Sequence, residues 1–388
     1  MRYLAAPHPG SPASVRVVRG RRSAGLPARA VGRASSEGDG PPAVRDPFGA
    51  HQRTPTGGPN HMSEPIYDAR TFWELLERRV AASPDSAFLI EGDTTITFGE
   101  AKDQAEQVAG GFVAMGVGEG TPVTWVLPTR IQTVVASLAL SRLGAVQNPI
   151  IHIYRDREVG FCIRQTGAEF VLTPGEWGGF DYKAMAERVT ADLDSPPTLL
   201  DVSVGLPEGD PATLPALPAA SVDGEDLVRW IYYTSGTTSD PKGVLHTDAS
   251  LMAGGVGLAK ALDMGPDDVG SIAFPYAHIG GPDYLVCLLA NGFPAVLLEK
   301  FDLATAIEQF SRHGVTMAGG TTVFYTMFLG VQRQQPYAPI TPTPRLLPGA
   351  RAPHPPAVFL WSAARLGSRV PPRSRPTPAP CSRSGAPR

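Results

Sequence analysis

Negative charge is missing from the end of this sequence: in a chain of 388 residues no Asp or Glu follows Glu308, and no Lys follows Lys300. Ordinary globular domains mix both signs, so a composition break is expected between residues 345 and 360. Residues 361–388, rich in Ser, Arg, Pro, Ala and Gly, are expected not to pack. They read like a coding sequence translated in the wrong frame, which resequencing the DNA would test. Lysine is absent from the other end as well. Residues 1–61 hold nine Arg and no Lys, with no periodic apolar face, so they cannot offset the entropy of ordering and are expected to be disordered. They lack the apolar run of a secretion signal and the amphipathic run of an organelle transit peptide. Met62 is the simplest native start.

Other scarcities exclude whole classes. The three cysteines, Cys162, Cys287 and Cys381, match no metal-ligand spacing and no disulfide framework, which leaves buried free thiols. A net charge of -3 offers no basic field to a nucleic acid or an anionic membrane. The most apolar stretch, residues 131–151, is interrupted by Arg142, Gln147 and Asn148, so no transmembrane helix is expected. A cytoplasmic protein is the default.

What remains is ample core material, with 42% hydrophobic residues, concentrated in residues 62–345. Phe72, Leu75, Leu76 and Val80 form one helix face, and Ser83-Pro84-Asp85 stops it. Gly92-Asp93 turns a hairpin between strands at 87–91 and 94–98, and Thr97 with Glu100 has the spacing of a capping box. That box opens a helix presenting Ala101, Ala105, Val108 and Phe112. Further strands are expected at 122–127, 145–151, 169–173, 228–233, 269–274, 294–298 and 315–319, separated by helices. The alternation reads as α/β. Residues 192–226 read as a surface excursion. Gly254-Gly255-Val256-Gly257 follows no suitable strand and reads as close helix packing rather than a dinucleotide fingerprint.

The chemistry concentrates in Tyr233-Thr234-Ser235-Gly236-Thr237-Thr238-Ser239-Asp240-Pro241-Lys242-Gly243. Hydroxyls and backbone N–H groups donate to phosphate oxygens, glycine permits the turns that aim them, and Lys242 adds positive charge. At an effective dielectric near 20, an ammonium about 4 Å from one phosphate charge is worth roughly 4 kcal/mol before desolvation. No second glycine stands between Gly236 and Lys242, where Pro241 directly precedes the lysine, so this is not a Walker A loop. His246 is expected at the start of the following helix, as a surface or capping group. A second run, Phe274-Pro275-Tyr276-Ala277-His278-Ile279-Gly280-Gly281, holds a histidine that on its own reads as packed or helix-capping.

The first run resembles the signature loop of the adenylate-forming (AMP-binding) superfamily, whose usual form is Y-T-S-G-T-T-G-x-P-K-G; Ser239 stands where glycine is usual. The resemblance covers residues 67–329 and is strongest to acyl-CoA synthetases. It implies the large N-terminal α/β domain of that fold, incomplete, over residues 62–345, between a leader at 1–61 and a tail at 346–388. It implies an acid–thiol ligase that uses ATP and Mg2+ to form an acyl-adenylate and passes the acyl group to CoA. Thr234, Ser235, Gly236, Thr237, Thr238, Lys242 and Gly243 would then hold the ATP phosphates, with Lys242 and Thr238 offsetting charge during catalysis. Tyr276, His278, Gly280, Gly281, Gly319 and Gly320 would border the acid pocket; the metal ligands are not identified. Amino-acid-activating relatives place Asp where this chain has Pro275, so the resemblance favours an uncharged acid, of medium length, alicyclic or aromatic.

Family members use a downstream Y-G-x-T-E segment, a T-G-D aspartate and a C-terminal lysine, and none occurs here. The alternative is therefore a catalytically inactive fragment that binds anions or a partner. Losing two or three hydrogen bonds to charged groups, at about 1.5–3 kcal/mol each, weakens nucleotide binding by several powers of ten. Calorimetry of Mg-ATP against the 388-residue chain should give a dissociation constant above about 1 mM; a tighter value contradicts this expectation.

Overall fold

A computed structural model describes residues 2–4, 17–19, 64–218, 220, 227–234, 241–318 and 322–334. Two sheets organise them. In the larger, the strands Thr198–Asp201, Phe170–Thr173, Pro122–Trp125, Val146–Pro149 and Trp230–Thr234 run parallel in that spatial order. Lys242–His246 then joins antiparallel to Trp230–Thr234. The smaller sheet orders Gly270–Ile272, Ala295–Leu297 and Ala87–Glu91 in parallel, with Thr94–Thr97 antiparallel at its edge.

Side-chain alternation sorts each strand between two cores. Val123 and Trp125 of the larger sheet and Leu89 of the smaller face a shared core with the helices Phe72–Ala82, Phe98–Ala114, Ile131–Leu143 and Gly280–Asn291. Ile90 and Val296 face the other way, onto Phe310 and Phe328 of the helices Leu303–Arg312 and Thr322–Gln334. Val171 and Ile150 face a third cluster with Cys162 and Met185 of the helices Asp156–Thr166 and Tyr182–Thr190. A register shift between Ala87 and Leu89 turns both Phe88 and Leu89 into the shared core. Helix Ile131–Leu143 is buried almost all round. That explains the apolar run as a core helix, and among the described residues no helix is long and apolar enough to cross a membrane.

Several local expectations hold. The capping box is complete: Glu100 N–H donates to Thr97 Oγ1 at 3.1 Å and Thr97 N–H to Glu100 Oε2 at 2.7 Å. Cys162 and Cys287 are buried free thiols; Cys381 lies outside the described residues. A Cβ on Gly255 would sit 2.5 Å from Asp283 O and Val286 Cβ, so helix Asp248–Ala261 packs backbone-close on Gly280–Asn291.

Other expectations need correction. Among the described residues of the expected strand at 315–319, those at 315–318 form no strand, because only Met317 bridges to Gly270. The excursion at 192–226 supplies the edge strand Thr198–Asp201, whose pairing with Phe170–Thr173 overrides its weak apolar periodicity. His246 ends a strand instead of opening a helix; Thr247 caps the helix, accepting from Ser250 N–H at 3.1 Å. Within the leader, Arg2–Leu4 pairs antiparallel with Lys242–His246 and Val17–Arg19 pairs with Arg2–Leu4. The exposed edge of Lys242–His246 offers unpaired backbone groups that such a strand satisfies. The rest of residues 1–61, and the tail from 335 on, lie outside the described residues.

Three contacts fix these layers. Arg79, 0% exposed, donates from Nε to Leu289 O at 2.7 Å and from Nη2 to Ala290 O at 2.8 Å, capping the negative end of helix Gly280–Asn291. Asp248 accepts from Trp230 Nε1 at 3.0 Å and from Phe72 N–H at 3.4 Å. The third is a notch in helix Phe98–Ala114, where a Cβ on Gly111 would lie 2.4 Å from Pro207 C. Arg79→Met keeps the bulk and removes the cap. Two carbonyls lose charged donors, so urea denaturation should show a loss of about 2–4 kcal/mol; an unchanged midpoint would rule the cap out as a stabilising contact.

Candidate functional site

The signature run folds as a hairpin. Trp230–Thr234 rises through the sheet centre and Lys242–His246 returns beside it, with Tyr233 opposite Gly243 and Thr234 opposite Lys242 as the last pair. Both ends of the loop therefore leave from the carboxyl end of the parallel strands, the edge at which open α/β sheets bind ligands. Ser235, Gly236, Thr237 and Thr238 lie outside the described residues. Lys242 is exposed and makes no ion pair among the described residues. Gly243 is buried within the ladder.

Beside this mouth lies an open cavity of about 770 Å³, within the range of small-molecule sites. Thr234 and Pro241 form part of its rim, and Ala277, His278 and Ile279 enter from the second run. Its other walls include Ile150, Tyr154, Phe161, Tyr233 and Val244. The two sequence-distant runs thus meet on one cavity.

His278 both lines the cavity and caps a helix. Its Nδ1 accepts from Gly280 N–H at 3.1 Å, which assigns the lone pair to Nδ1 and leaves Nε2 as donor. Desolvation lowers its pKa, favouring the neutral ring that this bond needs. His246, also on the cavity, has its pKa lowered by burial, with Tyr232 edge-on at 6.0 Å and Ser250 Oγ 3.3 Å from Nδ1.

The remaining pocket residues fall elsewhere. Tyr276 is 1% exposed, stacked on Trp125 at 6.1 Å with its hydroxyl 3.3 Å from Ser137 Oγ; it is a core residue. A Cβ on Gly281 would lie 2.0 Å from Tyr276 O, so the absent side chain makes room for the turn and not for an acyl chain. Gly280 does not line the cavity either. Gly319 and Gly320 are outside the described residues.

Sequence reading missed the wall that helix Asp156–Thr166 contributes: Arg157, Glu158, Phe161, Cys162 and Arg164. The signal was present as Arg157, Phe161 and Arg164 at i, i+4 and i+7, one helix face. Tyr233 is held against this helix by donating to Gln165 Oε1 at 2.8 Å. Burial pushes the Cys162 thiol up to about 12, so it is no nucleophile at neutral pH. No group of three His, Cys, Asp or Glu suited to a metal occurs among the described residues. Glu158 is the one carboxylate on the described wall, a poor match for Mg2+.

The pattern of an AMP-binding enzyme matches residues 76–371. A 4-coumarate–CoA ligase from Oryza sativa subsp. japonica is 30% identical over 267 residues, 67% of this chain and 47% of that protein. A sulfoacetate–CoA ligase from Cupriavidus necator is 30% identical over 268 residues, 66% of this chain and 50% of that one. The chain thus spans about half the length of these relatives. Among solved structures, the N-terminal domain of FACL13 from Mycobacterium tuberculosis aligns with a TM-score of 0.67 at 22% identity, over 76% of this chain and 73% of that one. O-succinylbenzoate coenzyme A synthetase from Bacillus subtilis, in complex with AMP, aligns at 0.64 and 24% identity, over 76% and 57%. At such identities these two show the fold.

One group near the second run is titratable in the working range. Asp283, in the first turn of helix Gly280–Asn291, is pushed up to about 6 by burial, against about 3.9 in an unfolded chain. The folded state therefore holds a proton that the unfolded state releases, and stability falls as pH rises from about 4 through 6. Asp283→Asn should match the parent near pH 4 and exceed it by about 1 kcal/mol at pH 7.5, the helix N-terminus offsetting part of the burial cost. Urea melts at both pH values check this, and an equal change at each would refute the assignment.

Proposed function

The chain belongs to the AMP-binding enzyme family, and from that membership we propose that its cavity binds a carboxylic acid for activation by ATP as an acyl-adenylate and transfer to the thiol of CoA. The observation that carries this reading is the meeting of Thr234 and Pro241, at the two ends of the signature loop, with His278 on one largely apolar cavity, while Lys242, paired across from Thr234, stands beside that lining and not in it. The curated relatives named above are CoA ligases.

In this reading an acid carboxylate attacks the α-phosphate, and negative charge builds on the departing pyrophosphate. Lys242 projects at the hairpin mouth without an ion-pair partner among the described residues, so its charge is available to the β- and γ-phosphates. Thr234, with the loop residues Ser235, Gly236, Thr237 and Thr238, would donate to the same oxygens, and preorganised donors of this kind lower the barrier because they need not reorient. The ring of His278 sits where the acid enters, with Nε2–H free to orient a carbonyl or carboxylate oxygen. ATP supplies the leaving group and CoA the acceptor thiol; Mg2+ has no adequate ligand set among the described residues, and no step is assigned to it.

A second reading, binding without turnover, is favoured for this polypeptide by the lack of any carboxylate after Glu308. Acid-dependent exchange of labelled pyrophosphate into ATP separates the two, and no exchange is expected from these 388 residues. The phosphate site is tested directly by calorimetry. Pyrophosphate should bind in preference to sulfate at equal ionic strength, and Lys242→Ala should weaken it by about tenfold or more. Indifference to that substitution would remove the basis of the proposal.

A further inference from the structure

Helix Asp156–Thr166 buries Val159, Cys162, Ile163 and Thr166 and turns Arg157, Phe161 and Arg164 to the cavity. Nearby arginines of the same region are engaged. Arg155 donates to His152 O at 2.7 Å and lies 4.2 Å over the Phe180 ring, while Arg188 pairs with Asp156 at 3.0 Å. Arg157 and Arg164, by contrast, make no ion pair among the described residues. A Cβ on Gly160 would lie 3.1 Å from Arg164 Nη1, so that guanidinium folds back over the glycine, one turn toward Arg157, as long helical side chains do. Two exposed cations thus border one wall of an otherwise mostly apolar cavity, and Glu158 is the single acid on the described wall beside them.

We propose that this wall selects an acid carrying a second anionic group, a dicarboxylate or a sulfonated carboxylate, whose distal charge is received by Arg157 and Arg164 while its reacting carboxylate lies toward Thr234 and His278. The proposal rests on the ligase reading for which end reacts. Its physical basis is that an unpaired guanidinium facing an apolar cavity gains most from an anion that brings its own apolar body.

The test measures direct binding to the full chain without ATP, by calorimetry, using cyclohexanecarboxylate against cyclohexane-1,4-dicarboxylate and benzoate against terephthalate. Each diacid should bind about tenfold tighter than its monoacid at low salt, a preference that shrinks as salt rises. The double variant Arg157→Gln with Arg164→Gln should lose that preference and keep monoacid binding, and Arg155→Gln should leave the preference intact. Equal affinity for mono- and diacids, a preference surviving the double variant, or no binding of any of the four overturns the proposal. So does arginine-dependent binding of CoA over its dephospho form without a diacid preference, which would give the wall to the thiol's phosphate. A chain that binds pyrophosphate through Lys242 but shows no diacid preference refutes this inference alone. Loss of pyrophosphate binding refutes the ligase reading while the diacid comparison still stands.

Discussion

The buried carboxylate of Asp248 is the point on which the site's geometry depends. It accepts from the indole of Trp230, at the start of the central strand, and from the backbone N–H of Phe72, at the start of an N-terminal helix. The Phe72 ring lies 5.3 Å from that indole, so polar and apolar contacts close on the same spot. Burial raises the carboxyl's pKa, the expected cost of placing a charge-bearing group in low dielectric, and the two donors offset part of it. Through this one side chain the helix Phe72–Ala82 is attached to the hairpin. Through Arg79 the same helix is attached to the far end of Gly280–Asn291, whose near end carries His278. The two runs that meet on the cavity are therefore held by a common strut.

That strut explains why the cavity can be largely apolar and still well shaped. Its walls come from a strand pair, a helix entry and the helix Asp156–Thr166; Trp230 and Tyr232 of the central strand and Tyr276 and Ala277 of the helix entry sit in the shared core, and the helix sits in the cluster around Cys162 and Met185. Little of the shaping falls to the residues that would touch a ligand. The antiparallel return of Lys242–His246 in an otherwise parallel run sets Lys242 directly across from Thr234, which no arrangement with a helix after the loop would do.

Much of this was legible in the sequence. The α/β alternation, the capping box at Thr97 and the family's signature run are local signals, and each depends on residues close in the chain. His278 could be read because its run resembles a known one. Tyr276 and Gly281 could not be placed correctly, since both are set by packing against Trp125 and against each other, contacts between residues distant or mutually dependent. His246 was misplaced because a five-residue strand carries too short a pattern to compete with the helix that follows. Arg157 and Arg164 read as an ordinary solvated helix face; only tertiary structure shows that the face borders a cavity.

The glycine notch of helix Phe98–Ala114 has a consequence for chain entropy. Between Asp201 at the sheet edge and Trp230 at its centre, the backbone crosses that helix with Gly111 against Pro207 and Gly110 against Gly209, then passes Gly144 with Pro218. Each anchoring divides one long closure into shorter ones. Because doubling a loop costs only about 0.6 kcal/mol, these anchors save little free energy of closure. Their effect is instead metric: they hold the chain in place as far as Pro218, while the register of Trp230 with Gln147 and of Thr234 with Lys242 sets where the hairpin emerges.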